Sequence, residues 1–219
     1  MIVIAGQRNW VRAAHAANPI GLYAPTISAI RSCPEGSHIY FVHWSDRVPD
    51  DVLDDYVCIG FHMTNLPYGA GGMPLQNLLI RGIYKTVLTA FRMTSNFDAG
   101  NVLMREEFEI KKEHYALQIY QDVSNLALRM VSEVERAQDF AGIPQDVAPE
   151  IEQFRRLVDA EIPIDATLDQ AYDYIRAFDA PGYEEPFIDY GGIRIKFSGC
   201  FYNSEKNEIN TAATICPKP

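Results

Sequence analysis

The sequence predicts an α/β domain with a mainly parallel sheet, and three observations lead there. The chain opens with IVIAG, a short β-rich run ending at Gly6, and a helical pattern follows through Trp10, Val11, Ala14 and Ala17. Strand, glycine and helix in that order are the usual start of such a domain. VCIGFHM, residues 57–63, is apolar enough for a strand buried on both faces, as parallel strands are. Helical and strand-like segments then alternate along the chain.

Taken in order, Pro19 stops the first helix. HIYFVHW, 38–44, reads as the next strand. VPDDVLDDY has Pro49 near its start and aspartates in its first turn, where a helix dipole favours negative charge. The strand 57–63 follows, and after a glycine cluster Pro74 opens a helix that runs through Arg81 and is closed by Gly82. TVLTAFRM, 86–93, and NVLMREEFEI, 101–110, read as strands, and alternation in the latter gives it one wet face. From 114 to 138, Leu117, Tyr120, Val123, Leu126, Met130 and Val134 step by three or four, as in an amphipathic helix. Pro and Gly in AGIPQDVAPE, 141–150, mark a loop that divides a core, 1–140, from an appendage, 141–219. The appendage is α+β. Residues 167–180 form a helix with Thr167 as N-cap, and 186–215 form strands turning at NSEKNE.

Composition excludes several functions. The 219 residues carry a formal charge of −10, with 29 Asp and Glu against 19 Lys and Arg. Nucleic-acid binding needs clustered cations, and the one basic pair, Lys111-Lys112, lies among Glu106, Glu107, Glu109 and Glu113. A small anionic metabolite is still allowed. No apolar run reaches the roughly 20 residues that span a bilayer, and no charged segment precedes the first apolar run. The expected location is therefore cytoplasmic, with no membrane partner. Cys33, Cys58, Cys200 and Cys216 form no CxxC pair and show no zinc-ligand spacing, so idle thiols and no metal site are expected.

His62 is the first candidate for chemistry. It ends a strand, where open α/β sheets bind ligands, and Gly69, Gly71 and Gly72 then allow close backbone approach or unusual φ/ψ values. GAGGMP fits neither phosphate-binding glycine pattern, and Pro74 removes one of the free N–H groups an anion would use. Asp98 is the second candidate. It sits in a turn-rich TSNFDAG segment just after a strand, and a carboxylate beside an imidazole fixes its tautomer and raises its basicity. His15, His38, His43 and His114 are scattered and read as packing residues, and no serine or cysteine nucleophile motif is present.

Together these pieces resemble the folate-dependent formyltransferases, whose patterns run N-x-H-x-S-x-L-P, R-G-x-x-P-x-Q and M-x-x-x-x-D-x-G. His62, Thr64, Leu66, Pro67, Gly71, Pro74 and Gln76 match in order, and so do Met93, Asp98 and Gly100. YDYIRAFDAPGYEEPF is similar to a later family segment. The resemblance implies an abbreviated Rossmann-like core that uses 10-formyltetrahydrofolate and needs no metal. It implies that His62 and Asp98 are catalytic, and that Leu66, Pro67, Tyr68, Gly71, Met93 and Phe97 line the pterin slot. The family asparagine two residues before the histidine is Gly60 here, and its Arg is Ala70; Asn65 is the candidate to supply the missing amide.

FHMTNLPYGAGGMPLQN looks most like the amino-sugar enzymes, so a nucleotide-linked amino sugar is the expected acceptor. The alternatives are an amino acid or carrier-bound aminoacyl group, or a folate-binding relative without catalysis. A tRNA substrate calls for a basic C-terminal domain, whereas this tail is acidic. The 114–138 helix and the tail strands offer surface for a homodimer.

Overall fold

The computed structural model describes residues 1–146, 148–157 and 159–219. Val147, in the expected 141–150 loop, lies outside the described residues, as does Val158. The elements are β1 (Ile2–Ala5), α1 (Asn9–Ala17), β2 (Leu22–Ala24), α2 (Ile27–Arg31), β3 (His38–Phe41), α3 (Asp50–Asp55), β4 (Val57–His62) and α4 (Pro74–Ile80). They continue with β5 (Lys85–Arg92), β6 (Val102–Glu109), α5 (Ala116–Ala137), α6 (Leu168–Phe178), β7 (Phe187–Tyr190), β8 (Ile193–Asn203) and β9 (Glu208–Pro217).

The six-stranded sheet runs β2-β1-β3-β4-β5-β6. β1 pairs in parallel with β2 and β3, β3 pairs in parallel with β4, and β5 runs antiparallel to β4. The sheet is thus mostly parallel, as expected, with the reversal at β5. β2 and α2 were not expected. β2 has three residues between Gly21 and Pro25 and α2 has five, too short for either to show a hydrophobic period. Thr26 still marks the start of α2, because its hydroxyl accepts the Ala29 N–H.

Strand alternation places Val3, Ala5, Ile39, Phe41 and Cys58 in one buried cluster with Ile30 of α2 and Val52 of α3. Ile4, Tyr40 and Ile59 alternate with them and are also fully buried. The Tyr40 hydroxyl donates to Glu135 of α5 at 2.8 Å, so that helix reaches their face. From Tyr120 onward α5 buries Val123, Leu126, Ala127, Met130, Val131 and Val134, the stripe expected from its spacing. Each fully buried aliphatic side chain contributes about 1.5–3 kcal/mol.

By packing, the chain forms two compact units, each assembled from three segments. One comprises residues 1–71, 86–108 and 120–154, and the other 72–85, 109–119 and 155–219. In the second, α4 and α6 pack together, and the buried Gln76 amide donates to the Ala177 carbonyl at 2.7 Å. Thr167 caps α6 in a reciprocal capping box with Gln170. Arg176, fully buried, donates to Asp173 at 2.7 Å and to the Lys111 and His114 carbonyls. β7, β8 and β9 form a separate antiparallel sheet.

His43, just beyond β3, has φ +48, and its ring lies edge-on to both Trp10 and Tyr120. Its Nε2–H donates to the Tyr120 carbonyl at 3.2 Å. Loss of hydration lowers its pKa from 6.5 to about 4, against the opposing bond to Tyr120. Below pH 6.5 the unfolded chain takes up a proton that the folded ring refuses. Stability is therefore expected to fall as pH drops from 6.5 towards 4, by on the order of 3 kcal/mol from this ring. Urea unfolding at pH 7 and pH 4.5 checks this. His43→Asn, which tolerates the left-handed backbone, is expected to lose less stability on acidification than the native chain. Equal losses would count against the assignment.

Candidate active site

His62 is the last residue of β4, and its side chain is 7% exposed. Its Nε2 lies 2.9 Å from the Gly69 carbonyl, which can only accept, so that nitrogen carries the N–H. Nδ1 faces Asp98 Oδ2 at 3.6 Å. The two residues expected to pair are thus brought together, 36 positions apart in sequence.

Asp98 is held from several sides. Its φ is +52, a conformation that aspartate tolerates better than most residues. Its Oδ2 accepts the Gly71 N–H at 2.9 Å. The Gln145 amide donates to the Asp98 and Gly100 carbonyls, both at 2.7 Å. A Cβ on Gly100 would stand 1.6 Å from the Arg92 carbonyl oxygen, so the loop closes only with glycine there. Gln145 had no signature in the sequence.

The glycine cluster serves the chain's own backbone. Gly71, at φ +121, forms a parallel bridge with Phe154, whose carbonyl oxygen would be 2.1 Å from an added Cβ. Gly69 N–H donates to the Glu152 carbonyl at 2.8 Å, and Phe154 N–H to Ala70 at 2.8 Å. Residues 152–154 therefore fix the loop that presents the Gly71 N–H to Asp98.

Leu66 is fully buried, and its carbonyl accepts from Arg105 at 2.7 Å. The Pro67 carbonyl accepts from Gln153, and Tyr68 stacks edge-on against Phe154. Asn65 is exposed in the loop that follows β4. Met93 and Phe97 line a small groove with Asp98, and Asp46, Arg47, Val48 and Phe91 complete much of its wall. Those last four were not anticipated, because only folding brings 46–48 to 91–98. Phe97 is 73% exposed at the groove.

Gly60 precedes His62 by two residues on the same strand face. It pairs across strands with Phe91. A Cβ at Gly60 would meet the Phe91 ring at 2.7 and 2.8 Å and Met93 at 3.2 Å. Phe91 therefore occupies space that a side chain at position 60 would need. The Cys58 thiol, on the same strand, is pushed up to about 12 by burial, and all four cysteines are free. Among the described residues, no group of three or more His, Cys, Asp or Glu side chains could hold a metal ion. Nor, among the described residues, is any helix long and apolar enough to cross a membrane.

A six-stranded mostly parallel sheet and a small antiparallel sheet give a formyltransferase-type fold, with a strand-end histidine beside a carboxylate. The profile of the methionyl-tRNA formyltransferase C-terminal domain matches residues 158–216. The methionyl-tRNA formyltransferase of Rickettsia massiliae is 28% identical over 89 residues, 40% of this chain. The chain spans about 30% of that relative's length in the match. The solved methionyl-tRNA formyltransferase from Clostridium thermocellum superposes with TM-score 0.85 at 28% identity, covering 99% of each chain. An N-formyltransferase from Helicobacter canadensis, solved with folinic acid and dTDP-3-aminofucose, shares the fold with TM-score 0.62 at 13% identity, covering 92% of this chain and 88% of its own. The chain thus has the fold of the methionyl-tRNA formyltransferases and is similar to them in sequence.

Proposed function

We propose that the chain transfers a formyl group from 10-formyltetrahydrofolate to the primary amine of an aminoacyl group. The observation that carries this is the His62–Asp98 pair, whose carboxylate also lines the groove of Met93 and Phe97. In the transfer, the amine nitrogen forms a bond to the formyl carbon, the bond to N10 of the donor breaks, and one amine proton is released while N10 gains one. His62 has its Nε2–H committed to Gly69, which leaves Nδ1 to take the amine proton beside the Asp98 charge. General-base assistance of this kind is worth roughly 10²–10⁴-fold. The groove supports the donor assignment, because Val48, Phe91, Met93 and Phe97 give apolar surface for a flat ring. The folinic acid in the Helicobacter canadensis enzyme also supports it.

The acceptor is where the comparisons shift the expectation. A nucleotide-linked amino sugar rests on the motif's appearance and on fold likeness at 13% identity. Proteins named methionyl-tRNA formyltransferase share 28% identity, and that supports an aminoacyl amine instead. The charge in the matched C-terminal region then bears on the carrier. Residues 158–216 hold eleven Asp and Glu against four Lys and Arg, a net charge of −7. Such a surface repels a tRNA backbone, so the favoured acceptor is an aminoacyl group on a smaller carrier, or an amino-acid ester. Asn65 in the amide role, Leu66, Pro67, Tyr68 and Gly71 as pterin neighbours, and a homodimer through α5 and the tail strands stand as further parts of this proposal.

A panel assay tests the reading, with 10-formyltetrahydrofolate as donor. The acceptors are methionine and phenylalanine esters, aminoacyl carrier proteins, methionyl-tRNA, and dTDP- and UDP-linked amino sugars. Turnover with the esters or carriers at least tenfold above the sugars and the tRNA is expected. Turnover confined to the amino sugars would overturn the acceptor assignment. Folate binding without any transfer would favour a binding relative.

A further inference from the structure

The unit built from residues 72–85, 109–119 and 155–219 contains a second cavity of about 650 Å³. None of its lining residues belongs to the His62–Asp98 site, and its size suits a small organic ligand. Tyr115, Phe178, Tyr183 and Phe197 line it together with Asp179 and Glu185, and none of its lining residues is Lys or Arg. Glu185 has Lys196 nearby, at 4.0 Å. Asp179 receives the Gly199 N–H at 3.2 Å and is in no ion pair among the described residues.

We infer that this cavity binds a small ligand carrying a primary ammonium on an aromatic or apolar body, with the ammonium at Asp179 and the body among the rings. Charge and shape select this class together. An anion or a zwitterion would bring a carboxylate against two carboxylates. A neutral ligand would cover Asp179 without a counter-charge, which is costly for a partly buried acid. An ammonium supplies that charge and gains further from the aromatic faces. Burial already raises the Asp179 pKa, against the opposing Gly199 bond. The inference concerns ligand class alone and does not depend on the transfer reaction.

Calorimetric titration at pH 7 tests it with three probes: 2-phenylethylammonium, its neutral N-formyl derivative and free phenylalanine. The ammonium is expected to bind at least tenfold more tightly than either of the others. Asp179→Asn is expected to weaken the ammonium at least tenfold and leave the formamide unchanged. Glu185→Gln, at an exposed position where folding is safe, is expected to weaken the ammonium about threefold. His62→Ala is expected to leave all three affinities unchanged, which separates this site from the transfer chemistry. Equal binding of the ammonium and the formamide, or undiminished binding in both carboxylate variants, would overturn the inference.

Discussion

His62→Ala is expected to lower the rate of formyl transfer by about 10³-fold while the chain remains folded, and Asp98→Asn by about 10–100-fold. The difference follows from geometry. Removing the ring removes the group at the end of β4 that can take a proton beside the Asp98 carboxylate. The asparagine keeps an oxygen for the Gly71 N–H, so the loop stays in place, but it removes the charge 3.6 Å from Nδ1. Each preorganised interaction of this sort is worth roughly 2–4 kcal/mol in the transition state. Initial rates of formamide formation at saturating donor provide the check. Rates within threefold of the native chain in both variants would remove the pair from the chemistry.

The second large effect concerns Gly60, where the family carries asparagine. Gly60→Asn alone is expected to destabilise the chain by about 1–3 kcal/mol, since its Cβ would press on the Phe91 ring. Phe91→Ala alone is expected to cost about 3–5 kcal/mol through the cavity it leaves, because Phe91 is 4% exposed. Combined, the two changes place an amide in the vacated space, and the double variant is expected to be more stable than the sum of the single losses predicts, by about 1 kcal/mol or more. If the native enzyme works without that amide, the double variant is expected to gain transfer rate as well. Strict additivity in thermal unfolding would show that Phe91 and position 60 do not compete for space.

Much of this architecture could be read from residue spacing. The stripe of α5, the apolar run of β4 and the Thr167 cap each rest on a local rule that nothing elsewhere in the chain overrides. β2 and α2 escaped because three and five residues are too few to show a period. At the site, His62 and Asp98 were legible from motif spacing, whereas Gln145 and residues 46–48 reach it only through tertiary folding. Of the two roles expected for the glycine cluster, close approach to a ligand or unusual backbone angles, the second is seen at Gly69 and Gly71, which take positive φ against the backbone of 152–154. Leu66, expected at the pterin slot, is fully buried, which motif spacing along a chain does not reveal. The proposal of an aminoacyl acceptor rests on likeness to methionyl-tRNA formyltransferases and not on a residue pattern.

Carbon-13 NMR of the chain with donor labelled at the formyl carbon, in the presence of methionine methyl ester, tests the central claim most directly. The account predicts that the label moves into a formamide resonance of the ester at a rate that His62→Ala lowers about 10³-fold. Label that stays on the donor, or appears only as formate at the same rate in both proteins, would contradict it.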